Sequence, residues 1–145
     1  MMRLVAPFLA LFLIALPLAA KDRMHAHGDW ALAGYDAVAY FVAGEARPGM
    51  PDQALRWHGQ VWHFETRANR ATFEANPAAF QPQYGGYSVV SVSENAPAAG
   101  DPRIFAIHEG RLYLLQSTAE RDAFLRDPEA VIDRAAQVWR RLSGQ

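Results

Sequence analysis

The chain has 145 residues, of which 51% are hydrophobic and 12% aromatic, with 14 basic and 15 acidic residues and no cysteine. That is enough for one domain with a core of its own. A formal charge of −1 excludes the strongly basic stripe of a nucleic-acid binder, and the missing cysteine excludes disulfides, thiolate metal sites and a cysteine nucleophile.

The N-terminus predicts export. Arg3 precedes an uncharged apolar run from Leu4 to Leu16, Pro17 breaks it, and Leu18-Ala19-Ala20 offers a small residue before a cut. The run is shorter than the ~20 residues a spanning helix needs. Residues 1–20 therefore read as a secretory signal peptide, with a retained anchor as the alternative, and the mature protein as periplasmic or secreted. Residues 21–33 read as a flexible polar lead-in. Within it Met24, His25 and His27 are soft-metal ligand types that would suit copper.

The folded domain is expected over residues 34–145. It opens on Gly34-Tyr35-Asp36, a turn, followed by a short apolar segment to Val42, and residues 44–52 carry the glycines and prolines of a loop. Leu55 to His58 and Val61 to Glu65 predict a hairpin closed on Gly59-Gln60. Trp62 and Phe64 then share one strand face, and Val61 and His63 the other. Thr66 predicts the N-cap of a helix carrying Phe73 inward, which Asn76-Pro77 ends.

The same unit recurs downstream. Gly59, Val61, Trp62, Phe64, Thr66, Arg70, Phe73, Asn76 and Pro77 match Gly110, Leu112, Tyr113, Leu115, Ser117, Arg121, Phe124, Asp127 and Pro128, each pair 51 positions apart. A constant offset without gaps argues for an internal duplication. Ser117 with Glu120 predicts a capping box, and Asp127-Pro128-Glu129 the start of a last helix with an apolar stripe through Val131, Ala135 and Val138. These elements predict a small α+β domain of short antiparallel hairpins with packed helices, built from two related strand-helix units.

Between the units lies Gln81 to Ser88, QPQYGGYS, uncharged and rich in tyrosine and glycine. On the 51-residue offset it follows the first unit and has no counterpart after the second. Gly85-Gly86 opens the backbone to a close approach. Residues 88–93 are β-branched and read as either strand or helix.

GYDAVAYF at 34–41, VWHFETRANRATF at 61–73, NPAAFQPQYGGYS at 76–88 and Gly100-Asp101-Pro102 together resemble the exported bacterial YHS-domain proteins, related to the treble-clef-like YHS and TRASH modules. The resemblance covers nearly all of the chain beyond the signal segment. It implies a compact α+β domain suspected of binding a metal ion, with no established catalytic activity. Where that family commonly reads YGGYC, this chain has Ser88, a poor ligand for soft metals. A surviving site must use histidine, methionine, tyrosine or carboxylate.

The candidate ligand-binding residues are Tyr35, Asp36, His58, Tyr84, Gly85, Gly86, Tyr87 and Ser88. Metal candidates, for copper or zinc, are His58, His63, Met24, His25 and His27; His108 has no matched partner in the first unit. No catalytic set is assigned: Ser88 lacks the G-x-S-x-G elbow of a hydrolase. The expected function is a non-enzymatic module for a small polar ligand or metal ion. The alternatives are a structural or protein-interaction domain that has lost its thiol site and, behind that, a hydrolase.

Overall fold

The computed structural model describes residues 24–144; the expected signal peptide lies outside them. Among the described residues no helix is long and apolar enough to cross a membrane. The described residues are α+β, with two antiparallel two-stranded sheets and six helices among them. The first unit contains α1 (Ala39–Val42), β1 (Met50–Trp57), β2 (Gln60–Phe64), α2 (Arg67–Ala75) and α3 (Pro77–Phe80). The second contains α4 (Val89–Ser93), β3 (Asp101–His108), β4 (Arg111–Leu115), α5 (Thr118–Arg126) and α6 (Pro128–Ser143).

The hairpins follow from local chemistry. Trp57 pairs with Gln60 and His108 with Arg111, so the two-residue turns are His58-Gly59 and Glu109-Gly110. Both residues of each turn have positive φ (50° and 81°; 49° and 71°), the twist that suits a tight hairpin. The first turn is thus one residue earlier than the expected Gly59-Gln60. β1 also begins at Met50, inside the expected loop, and both hairpins bulge at the same place, after Met50 and after Asp101.

The duplication extends further than a gap-free offset reveals. A 3-10 turn spans Ala31–Gly34 before α1 and another spans Gln83–Gly86 before α4. Leu32, Ala33 and Gly34 have φ of 52°, 51° and 88°; Tyr84, Gly85 and Gly86 have 53°, 60° and 85°. The hydrogen bonds repeat too: Tyr35 N to Leu32 O and Tyr87 N to Tyr84 O, Asp36 N to Arg47 O and Ser88 N to Ala98 O, Gly49 N to Gly34 O and Gly100 N to Gly86 O. Tyr84 to Ser88 is therefore not an insert after the first copy. It opens the second, and its counterpart is Leu32 to Asp36, 52 positions earlier. The extra position arises because the loop from Asp36 to β1 is one residue longer than that from Ser88 to β3.

Residues 88–93 resolve as an N-cap and a helix. Ser88 Oγ accepts from Ser91 N, and Val89 and Val92 are fully buried. Burial of the apolar face overrides the strand propensity of the valines.

Two cores result. Trp62, Phe64 and Phe73 form the first with Val38 and Tyr40, and Tyr113, Leu115 and Phe124 form the second with Val89, Val131, Ala135 and Val138. β4 joins them by strand alternation: Tyr113 and Leu115 face the second core while Leu112 and Leu114 belong to the first. The corresponding back face of β2, Val61 and His63, is covered by the lead-in. Val61 N donates to Asp29 O, Trp30 bridges Val61, Gln60 Nε2 donates to Gly28 O, and Trp30 packs edge-on against His63 at 4.8 Å. From residue 24 these contacts tie the lead-in to the domain.

Candidate functional site

Asp36 and Ser88 occupy equivalent positions, and both are fully buried. A buried carboxylate is costly unless its lone pairs are filled. Asp36 Oδ1 accepts from Val38 N at 2.8 Å and Ala39 N at 3.3 Å, and Oδ2 accepts from Glu65 N and Asn69 Nδ2, each at 2.7 Å. In the second copy the anion is on the other partner. Ser88 Oγ donates to Glu120 Oε2 at 2.8 Å, and the same oxygen accepts from Gln116 N at 2.7 Å. Asn69 and Glu120 are equivalent, as are Glu65 and Gln116. Asp36–Asn69 has thus become Ser88–Glu120, one carboxylate serving the same backbone N–H from opposite sides. The capping box is correspondingly altered: Ser117 Oγ accepts from Glu120 N, while the Glu120 carboxylate reaches Gln116 rather than the cap residue.

This geometry removes Asp36 and Ser88 from the candidate ligand surface, because their polar atoms are committed inside the fold. Ser88 gives its proton to a carboxylate, so the hydrolase nucleophile considered from the sequence has neither exposure nor a histidine base.

The remaining candidates do not converge on one cavity. Tyr84 and Tyr87 pack on Trp139 of α6, with ring centroids 5.7 and 6.0 Å away, and desolvation by burial pushes the Tyr84 hydroxyl up to about 12. Gly85 lies under the lead-in: Ala26 N donates to Gly85 O, and a Cβ on Gly85 would collide with the Met24 carbonyl oxygen. A Cβ on Gly86 would press on the His27 ring. His58 stacks on Trp57 at the hairpin tip, and His63 is buried beneath Trp30. Among the described residues, none of His25, His27, His58 and His63 joins two further His, Asp or Glu groups within metal-binding distance.

Tyr35 lines an open cleft, of about 490 Å³, together with His27, Gly100, Asp101, Arg103 and Gln116. The cleft lies where the lead-in, the opening turn of the first copy and the start of β3 meet. Tyr87, the equivalent of Tyr35, packs against Trp139 of the 16-residue α6, whereas α3, at the place of α6 in the first copy, is four residues long. His27 Nε2 is 2.8 Å from Gly100 O; a carbonyl only accepts, so this nitrogen carries the hydrogen. Arg103 Nε and Nη2 donate to Asp101 at 3.0 and 2.7 Å, which holds the Asp101 carboxyl below its ordinary range. Two of the five guanidinium N–H groups are used in this pair, leaving three for a bound molecule.

Asp101, Arg103 and Gln116 are absent from the sequence candidates, as is Glu120 as the partner of Ser88. The signal that could have found Glu120 is the pairing of Gly34-Tyr35-Asp36 with Gly86-Tyr87-Ser88 once a one-residue gap is allowed. Comparison with family models, curated proteins and solved structures found no match to this chain.

Proposed function

We propose that the chain is an exported, non-enzymatic YHS-like module that binds a small polar ligand in the cleft framed by His27, Tyr35, Asp101, Arg103 and Gln116. The observation that carries this reading is Arg103 at the cleft wall, its side chain 70% exposed and sharing the lining with a phenol and an amide. Such a set favours a ligand with an anionic group at Arg103 and hydroxyl or carbonyl groups for Tyr35 and Gln116. The buried Ser88 favours a second reading, a structural or protein-interaction domain whose family site has lapsed, because the position expected to offer a thiol is closed off.

The test is amide chemical-shift mapping with a panel of small carboxylic acids, phosphate esters and sugars. A ligand of this cleft shifts Tyr35, Gly100 and Arg103, and Arg103→Ala abolishes the shifts. A panel that moves none of these resonances, or shifts that survive Arg103→Ala, would favour the second reading.

A further inference from the structure

The second hairpin carries a cluster that the first lacks. His108 ends β3, Glu109 is in the turn, and Glu129 is in the first turn of α6, with His108 Nε2 2.7 Å from Glu129 Oε1. One ligand atom from each of the three residues lies within 4.8 Å of the other two, and this is the one such trio of His, Asp or Glu among the described residues. At the equivalent places the first copy has Trp57, His58 and Ala78. Two copies of one scaffold therefore differ here in every chemistry-bearing position.

We propose that His108, Glu109 and Glu129 form a surface site for a divalent transition-metal ion of the zinc class, independent of the ligand cleft. Imidazole with carboxylate oxygens is a donor set suited to zinc, and two carboxylates with a neutral imidazole balance a dication. Two donors each ~2.1 Å from one ion can stand at most ~4.2 Å apart. The present span closes to that by small side-chain rotations, which the 66% exposed side chain of Glu129 can make. His108 is the anchored member: its side chain is 25% exposed and its ring meets Phe124 edge-on. Three protein donors leave the remaining coordination positions to water.

The experiment is titration of the untagged full chain with zinc chloride, read by calorimetry and by the amide shifts of residues 107–111 and 128–131. The expected result is one zinc per chain, with shifts confined to those residues. Glu109→Gln and Glu129→Gln, both at the surface, should each weaken binding by more than ~10-fold, the lower end of what even outer partners of a metal site contribute. His108→Ala should abolish it, and His27→Ala should leave it unchanged. The absence of saturable binding, or binding that survives Glu109→Gln combined with Glu129→Gln, overturns the proposal.

Discussion

Moving the second copy's polar pair into the first tests whether Asp36–Asn69 and Ser88–Glu120 are equivalent solutions. Asp36→Ser keeps a hydroxyl able to cap Val38 N or Ala39 N, as Ser88 caps Ser91 N, but strips the acceptor from Glu65 N and Asn69 Nδ2. Two donors left without that partner, at ~1–3 kcal/mol each, give a loss of about 3 kcal/mol. For a domain of this size the loss lowers Tm on the order of 10 °C. Asn69→Glu alone sets a second carboxylate against buried Asp36 and is also destabilising, by about 2 kcal/mol or more. In the double variant the carboxylate introduced at position 69 can receive both the hydroxyl introduced at position 36 and Glu65 N, as Glu120 does for its own pair. Stability should then return to within about 1 kcal/mol of the wild type, since each polar group regains a partner. Urea unfolding of the four proteins, followed by circular dichroism, gives the coupling energy, expected at about 4 kcal/mol in favour of the pair given single losses of about 3 and 2 kcal/mol and a double loss of about 1. A double variant no more stable than Asp36→Ser would refute the equivalence.

Further outcomes follow from single contacts. Gly49→Ala and Gly100→Ala should be comparably destabilising, by about 1–3 kcal/mol, since each added Cβ meets the equivalent strand residue, His63 or Leu114; chemical denaturation checks this. Ala33→Gly should be tolerated and Gly85→Ala should not, although the two sites share a backbone conformation. Position 85 alone has the Met24 carbonyl over it, and thermal melts of the two variants distinguish the cases. In alkali the unfolded chain loses the Tyr84 proton near pH 10, while the folded chain keeps it to about 12. The stability contributed by this group is therefore complete below pH 10 and lost as pH rises from 10 towards 12. Spectrophotometric titration should show one late-ionising tyrosine fewer in Tyr84→Phe.

What is legible in the sequence is local. Thr66, Ser117 and Asp127 announce their helices because a cap acts within three residues, and the prolines after Asn76 and Asp127 act on their immediate neighbours. The strand faces of Trp62 and Phe64 follow from alternation alone. The order of the lead-in is hidden because it comes from distant partners: Gly85 O for Ala26, Gly100 O for His27 and Val61 for Asp29. The boundary of the second copy is hidden because one residue of loop length breaks the 51-position register. The cleft is illegible for a related reason: Tyr35, Asp101 and Gln116 are brought together by stacking one copy on the other, and no period in the chain marks that contact.

The exchanged carboxylate has a consequence for how the chain sorts itself while folding. Each opening turn must find its own hairpin, although the two turns and the two hairpins share backbone shape and hydrogen-bond pattern. If the first turn docked on the second hairpin, Asp36 would face Glu120, two carboxylates in a dry site. The converse error would set Ser88 against Asn69, with no anion to receive the strand's N–H. Identical pairs in both halves would give the wrong assembly the same polar satisfaction as the right one. Opposite pairs make cross-docking self-penalising in both directions, so a single proton acceptor, moved from turn to helix, gives each half of a repeated chain an address.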